Sequence, residues 1–208
     1  MNFSKIYWTY LLLFLLIILP DQSFLEEKLS KKRLAVIGVN NTINNPEWES
    51  QLIGYGLSHL LLQQLFNLGN FIPIEDNPII VEKINKLISL QWNGEKSLYN
   101  EKEADTIAKD IGSDVVAYAR VIDFKTTQSK TFLGPFSVAS TKVEVDIEIF
   151  IKEQGHQVIY SKGKGKAETR SKGAFFEIRQ DKIYFDKTAV GKAAQKAMEN
   201  AIEQARFK

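Results

Sequence analysis

Lysines at every second position near residue 165 are the feature of the sequence best suited to binding chemistry. Lys162, Lys164 and Lys166 alternate with small residues, and Arg170 continues the same period. An extended strand places alternate side chains on one side, so this row is suited to contact anionic lipid head groups or an acidic partner. The alternative is a solvated edge strand whose charges protect it from pairing with another chain.

A second candidate contact site is the apolar run at residues 131–136 (TFLGPF), which lies in a polar setting. It contains Phe132, Leu133 and Phe136. Exposed apolar loops often mark a contact with a partner or a membrane. The alternative is that this loop folds back over the core. We expect the loop and the lysine row to be the membrane or partner contacts of the protein.

The residue types that catalysis and metal binding need are scarce. The chain has no cysteine, which excludes disulfides, thiolate metal sites and a lipid-carrying cysteine, and its only histidines are His59 and His156. Gly163 and Gly165 do not form a phosphate loop, because the Gly-Lys-Ser/Thr ending is missing. The sequence shows no paired carboxylates in an apolar setting and no Ser-His-Asp set. We therefore expect a non-enzymatic protein without catalytic, cofactor-binding or metal-binding residues.

The composition is that of an ordinary globular protein. Of the 208 residues, 44% are hydrophobic and 25% are charged, which excludes wholesale disorder and a multi-pass membrane protein. The 27 basic and 25 acidic residues give a net charge of +2, so we expect no nucleic-acid partner. The length suits one folded domain that follows an export segment.

The N-terminal residues have the pattern of an export signal. Residues 6–20 (IYWTYLLLFLLIILP) are apolar, Lys5 precedes them, and acidic residues follow from Asp21 onward. The run suits a long signal-peptide core and is shorter than the ~20 residues of a comfortable membrane span. We expect residues 1–28 to be a signal peptide or an uncleaved signal anchor, and residues 29–208 to be one domain. The expected location is the periplasm or the outer membrane.

The first half of the domain alternates strand and helix signals. Continuous apolar runs predict strands at residues 34–39, 71–74 and 115–124. Helices are predicted at residues 45–68, 77–90 and 100–112. Asn45 and Asn77 each precede a proline, which is typical of a helix start. Asn100 and Glu103 have the spacing of a capping box, and Gly112 is suited to end that helix.

The second half predicts an antiparallel hairpin and a terminal helix. Residues 143–151 alternate apolar and charged side chains, and a turn at residues 153–156 leads to a partner strand at residues 157–169. The last helix begins near Asp186, and a stripe of small side chains indicates close packing on a sheet. That stripe consists of Val190, Ala194, Ala197, Ala201 and Ala205. The whole pattern predicts an α/β (α+β) fold, in which helices pack against a mixed sheet.

The order of these segments resembles the curli secretion channel family, CsgG. The resemblance covers about residues 33–205 and includes Gly54 and Gly56 in the first helix. The strings that carry it are RLAVIGV at residues 33–39, FIPIE at residues 71–75, EADTIAKDIGSD at residues 103–114 and the alternating strand at residues 143–151. The resemblance implies an envelope protein, a homo-oligomer such as a ring, and no catalysis.

Two departures bear on the pore function of that family. Its channels are lipoproteins, whereas this chain has no cysteine. Its pore uses two membrane hairpins per subunit, expected here near residues 126–141 and 163–184, where alternating apolar side chains are few. The first hypothesis is an assembly or secretion component that oligomerises and binds an envelope protein or an exported cargo. The alternative is a periplasmic adaptor or regulator, similar to the activators of peptidoglycan synthases, that forms no pore.

Overall fold

The computed structural model describes residues 31–43, 45, 48–74, 77–133, 136–169, 178–179, 182–183 and 188–205. The side chains of residues 130–139 lie outside this description. The export segment predicted at residues 1–28 also lies outside the described residues. In the described part of the chain, no helix is both long enough and apolar enough to cross a membrane.

A mixed sheet of five strands forms the centre of the fold. In chain order its strands are β1 (Lys32–Asn41), β2 (Phe71–Pro73), β3 (Val115–Leu133), β4 (Phe136–Glu153) and β5 (Ile159–Thr169). In space the order is β2-β1-β3-β4-β5, where β1 runs parallel to β2 and β3 and the other neighbours are antiparallel. A separate short ladder pairs β6 (Ile178–Arg179) with β7 (Lys182–Ile183).

Helices pack against the sheet. Those in the described residues are α1 (Gln51–Phe66), α2 (Pro78–Trp92), α3 (Glu101–Ile111) and α4 (Ala189–Gln204). The first and last of them contact each other, and α1 packs on β1 while α4 packs on β4 and β5. Helix α2 also packs on β1, and α3 packs on β3 and β4. The predicted α+β fold, with helices against a mixed sheet, is confirmed.

The capping interactions predicted for α2 and α3 are present. The Asn77 side chain accepts a hydrogen bond from the backbone N–H of Ile79 at 3.0 Å. Asn100 and Glu103 form the predicted capping box through two hydrogen bonds of 3.0 Å. Gly112 ends α3 with a φ of 70°, in the left-handed region that favours glycine. These interactions join residues close in sequence, so the sequence pattern is enough to find them.

The first helix begins later than predicted. The expected start at Asn45 is wrong, because α1 begins at Gln51 after the N-cap residue Ser50. Just before the helix, Trp48 is fully buried, and its ring centroid lies 4.6 Å from that of Phe124. Burying an indole stabilises the fold more than a favourable helix start does, so the chain first enters the core and then turns into the helix.

The β3–β4 hairpin is longer than predicted. Its strands pair as far as Leu133 and Phe136, so the described residues 131–133 and 136 of the predicted loop belong to paired strands at the tip of a two-stranded arm. Cross-strand contacts continue along this arm, where the hydroxyl oxygens of Ser129 and Ser140 lie 2.8 Å apart. A prediction from apolar residues alone ends both strands too early, because backbone pairing does not require apolar side chains.

The predicted two-faced strand is confirmed in β4. Val143, Val145, Ile147 and Ile149 are at most 1% exposed. They lie in the main core together with residues of α1 and α4. Helix α4 is preceded by the N-cap residue Thr188, whose Oγ1 accepts a hydrogen bond from the backbone N–H of Gly191 at 2.9 Å.

Helix α4 packs on β5 backbone to backbone. A Cβ atom added to Gly165 would lie 1.8 Å from the carbonyl oxygen of Ala193, and Gly163 is equally close to the helix. On the predicted stripe, Val190, Ala194, Ala197 and Ala201 are buried, and Ala205 is partly buried. The close packing predicted from small residues is therefore confirmed, and glycines on the facing strand make it possible.

Candidate functional site: a charged sheet face

One face of β3, β4 and β5 carries charged side chains along its length, and we call it the open face. Lys162, Lys164 and Lys166 are exposed on this face, whereas Gly163 and Gly165 lie on the other side of β5 under α4. The side chains of the open face are Arg120, Asp123, Lys125, Lys142, Glu144, Asp146, Glu148, Tyr160, Lys162, Lys164, Lys166 and Glu168. The period of two therefore brings the three lysines together.

Acidic side chains of β4 lie opposite the lysines of β5. Glu144 accepts a hydrogen bond from Lys166 at 2.6 Å, and this bond holds the pKa of the Glu144 carboxyl below its ordinary value. The Nζ of Lys164 lies 3.3 Å from Oδ1 of Asp146. The ion pair of Lys166 and Glu144 is solvent-exposed, and such pairs contribute little to stability. Their main consequence is that the lysine row is charge-compensated, which weakens its attraction for anionic lipid.

The most ordered group on the open face joins three strands. Arg120 on β3 donates a hydrogen bond through Nε to Glu148 on β4 at 2.8 Å. The hydroxyl of Tyr160 on β5 donates to the other carboxylate oxygen of Glu148, also at 2.8 Å. Burial alone would raise the pKa of Glu148, but these two hydrogen bonds and the Arg120 charge hold that pKa below its ordinary value. Glu148 is therefore ionised at neutral pH and fixes both partners.

A row of aromatic rings packs against the Tyr160 member of this group. The ring of Tyr160 lies 5.2 Å from that of Phe150, which in turn stacks on Tyr118 at 5.2 Å and an interplanar angle of 6°. Tyr99 completes the row with an edge-to-face contact of 5.8 Å to Tyr118. Since Tyr160 is 54% exposed, it presents a large ring to solvent while its inner edge is held by packing. The Tyr160 ring is therefore held in place while half of it is open to solvent.

The geometry suits binding of a protein surface better than proton transfer. Glu144 and Glu148 both have a lowered pKa, so neither is poised as a general acid at neutral pH. Tyr160 has a raised pKa because its hydroxyl donates to Glu148, so it is not poised as a base. Tyrosine and arginine in a partly desolvated setting are, in contrast, the residues that dominate protein interfaces.

The residues predicted as contacts fall into separate places. The three lysines lie on the open face, and Arg170 lies outside the described residues. Phe132, Leu133 and Phe136 lie at the tip of the β3–β4 arm, with side chains outside the described part. On β4, Phe136 is eight residues from the acidic partner of Lys166, or roughly 27 Å along the strand. Contact with a membrane or partner stays a prediction for both the apolar tip and the lysine row.

The predicted contacts do not include Arg120, Glu148 or Tyr160, the hydrogen-bonded group that joins the three strands. The turn at residues 153–156 fixes the β4–β5 register, so it could have placed Glu148 opposite Lys162 and Tyr160 nearby. Arg120 could not be placed in this way. The β3–β4 register shifts between Val121 and Asp123, and a bulge of that kind has no reliable signal in a single sequence.

Metal binding has no support in the described part of the chain, where no group of three or more His, Cys, Asp or Glu side chains is placed to hold an ion.

Comparison with family models finds no match, and comparison with curated proteins also finds none. Among solved structures, the hypothetical protein CT253 from Chlamydia trachomatis is similar at 15% identity, covering 84% of this chain and 95% of that chain with a TM-score of 0.44. Lipoprotein GNA1162 from Neisseria meningitidis is similar at 8% identity, covering 68% and 85% with a TM-score of 0.41. The LpoB C-terminal domain from Salmonella enterica is similar at 18% identity, covering 68% and 84% with a TM-score of 0.38. At these TM-scores the similarities carry no functional conclusion.

Proposed function

We propose that this protein is a non-enzymatic adaptor or regulator of the cell envelope that binds another protein through its open face. The apolar residues 6–20 support export from the cytoplasm. The observation that carries the proposal is that Arg120 and Tyr160 are held by one buried carboxylate, Glu148, on an exposed sheet face.

The charges around this group suit recognition of a protein. The solvent-exposed ion pair of Lys166 and Glu144 contributes little to stability, so a partner with its own alternating charges can replace it at low cost. Such charges mainly set specificity and the rate of association. Tyr160 and Arg120 then supply the affinity, because anchors of these types contribute most of the binding free energy in measured interfaces.

The position of β5 supports an adaptor over a pore. A channel of the CsgG type needs a second membrane hairpin, which the resemblance places near residues 163–184. Gly163 and Gly165 are instead buried under α4, so one side of this strand is committed to the core of the domain. Lipid cannot contact that side, and a membrane hairpin would have to begin after the end of β5 at Thr169.

Photo-crosslinking in intact cells tests the proposal. A photoreactive amino acid placed at Lys162 of the full chain is expected to give a discrete adduct with another protein, because Lys162 is exposed beside Tyr160. Lys196, which is exposed on α4, is the matched control and is expected to give no such adduct. Mass spectrometry of the adduct identifies the partner. Absence of an adduct at Lys162, or the same adducts at both positions, would show that the open face is not the binding surface.

The second candidate is an assembly or secretion component of the CsgG type. The observation that favours it is the two-stranded β3–β4 arm, which lies where the resemblance places the first membrane hairpin, near residues 126–141. Electron microscopy of the full chain extracted in detergent separates the two candidates. Rings with a lumen would support secretion of an exported cargo, whereas particles without a lumen support the adaptor.

A further inference from the structure

Strand β5 is one of the two outer strands of the five-stranded sheet, with β4 as its neighbour on the inner side. It is 11 residues long, and its whole length pairs with β4. The other outer strand, β2, has three residues and ends at Pro73. A short edge with a proline is protected from further pairing, whereas a long edge is a template for an added strand. Of the two edges, β5 is therefore the one suited to accept another strand.

A hydrogen bond from α4 shows which backbone groups of β5 point away from β4. Nδ2 of Asn200 donates to the carbonyl oxygen of Lys164 at 2.8 Å. On α4, Met198 is buried in the main core and Ala197 lies over Gly163. Helical geometry places Asn200 on the side of Ala197 opposite to Met198, which is above the outer edge of β5. The Lys164 carbonyl therefore points outward, and so does its N–H, because in an antiparallel pair both groups of a residue point to the same side.

Outward backbone groups recur at every second residue of β5. The register between β4 and β5 has no shift, so the backbone groups of Lys162 and Lys166 point in the same direction as those of Lys164. The side chains of these three residues lie on the open face. The outer edge of β5 therefore combines a ladder of hydrogen-bond donors and acceptors with a row of positive charges.

The lysine row determines which kind of strand fits this edge. On the inner side, β4 places an acidic side chain opposite each lysine, namely Glu144, Asp146 and Glu148. Both carboxylate oxygens of Glu148 are already held by Arg120 and Tyr160, and Lys162 forms no ion pair within the described residues. An ammonium group has three donors, so a lysine can pair with acidic side chains on both of its neighbours. An outer strand that matches the row thus carries acidic side chains at alternate positions, as β4 does.

We propose that the β5 edge binds an extended segment of the envelope partner, which carries acidic side chains at alternate positions and pairs with β5 as an added strand. This inference rests on the proposed function, because β5 is the outer border of the open face. A second copy of the chain does not fit, since antiparallel pairing of two β5 strands would place lysines against lysines, and like charges directly opposite destabilise a strand pair. The lysines therefore oppose self-pairing and leave the edge open to an acidic strand.

Proline at position 164 tests the added strand. Lys164→Pro removes an outward N–H, which an edge strand tolerates, and the residue before it, Gly163, already lies in an extended strand. Lys164→Ala is the matched control, because it loses the same charge and keeps the N–H. With the photoreactive amino acid at Lys162 of the full chain in intact cells, Lys164→Pro should lower the adduct yield at least about fivefold below that of Lys164→Ala. Thermal unfolding shows whether both variants are folded.

A synthetic peptide tests the same contact without any substitution in the chain. The probe is a fluorescent peptide of alternating glutamate and threonine, and its matched control has lysine in place of glutamate. Fluorescence anisotropy with the full chain in detergent should show binding of the acidic peptide and none of the basic one. Added salt should weaken the binding, because the lysine row is exposed. If Lys164→Pro does not fold, this measurement decides.

The outcomes separate this inference from the proposed function. Equal adduct yields from folded Lys164→Pro and Lys164→Ala would overturn the added strand, as would equal binding of the two peptides or binding of neither. The open face would remain the binding surface in that case if Tyr160→Ala still reduced the adduct. Binding of the acidic peptide alone, in a protein that gives no adduct at Lys162 in cells, would support the strand-binding edge and contradict the proposed envelope partner.

Discussion

Gly163 of β5 lies directly against Ala197 of α4, so close that a Cβ atom added to the glycine would come 1.9 Å from the alanine carbonyl oxygen. The adjacent backbone N–H of Ala201 would be 2.6 Å away. Neither contact is with a flexible side chain that could move aside. This pair therefore fixes the distance between the terminal helix and the strand that carries the lysine row.

Gly163→Ala should destabilise the protein because the helix must shift to accommodate one methyl group. We expect a loss of about 3 kcal/mol, which corresponds to a fall in Tm of roughly 6–12 °C for a domain of this size. Thermal unfolding followed by circular dichroism measures this. Lys164→Ala, on the same strand but pointing to solvent, is the control and should cost at most about 1 kcal/mol. Equal Tm values for the two variants would contradict the packing described here.

Substitutions at two adjacent positions of β4 should differ in their cost to stability, because the two side chains lie on opposite faces of the strand. Ile147 is fully buried, so Ile147→Asp should cost about 4 kcal/mol or prevent folding, because an unpaired carboxylate enters the core. Asp146 lies on the open face, where its carboxylate is 3.3 Å from Nζ of the exposed Lys164, so Asp146→Ala should cost much less than Ile147→Asp. Urea denaturation at pH 7 gives both values. If Asp146→Ala were the more damaging change, the strand register would be wrong.

Glu148 should contribute to the acid sensitivity of the fold. Its pKa is lowered in the folded protein, whereas an unfolded glutamate titrates near 4.3. Its contribution to stability is therefore complete above about pH 4.3 and is lost as the pH falls through the lower folded pKa. Between pH 6 and pH 3, Glu148→Gln should show a smaller fall in Tm than the wild-type protein does. Parallel curves of Tm against pH would contradict this assignment.

The export signal can be tested independently of the folded domain. Replacing Leu13 and Leu16 with arginine places two charges in the apolar run of residues 6–20, which should cost several kcal/mol of membrane insertion. The variant should accumulate in the cytoplasm, as cell fractionation and immunoblotting would measure. Replacing the same leucines with alanine and valine is the matched control. Normal export of the arginine variant would refute a role for this segment.

The parts of the fold that the sequence predicts correctly depend on interactions between near neighbours. The capping box of Asn100 and Glu103 joins residues three apart, and the alternation in β4 needs only one exposed and one buried side. The start of α1 is mispredicted because the burial of Trp48 against Phe124 depends on a contact far away in sequence. Local propensity cannot include that contact.

In the candidate site, too, the sequence predicts the features that depend on near neighbours and misses those that depend on distant contacts. Lys162, Lys164 and Lys166 are found from the sequence because a period of two places them on one side of any strand. Their charge compensation requires the register of β4, and the contribution of Arg120 requires the bulge in β3. A row that looks basic in the sequence is thus a mixed-charge surface in the folded protein.

We propose that the group of Arg120, Glu148 and Tyr160 binds a protein in the envelope. The most direct measurement is the yield of the Lys162 photo-crosslinked adduct in chains that also carry Tyr160→Ala. Because Tyr160 is half-exposed, its removal should leave the fold intact, which an unchanged Tm would show. As an interface anchor worth about 2 kcal/mol, its loss should reduce the adduct at least about tenfold, whereas Lys192→Ala on α4 should leave the yield unchanged. An undiminished adduct in the folded Tyr160→Ala chain would contradict the account.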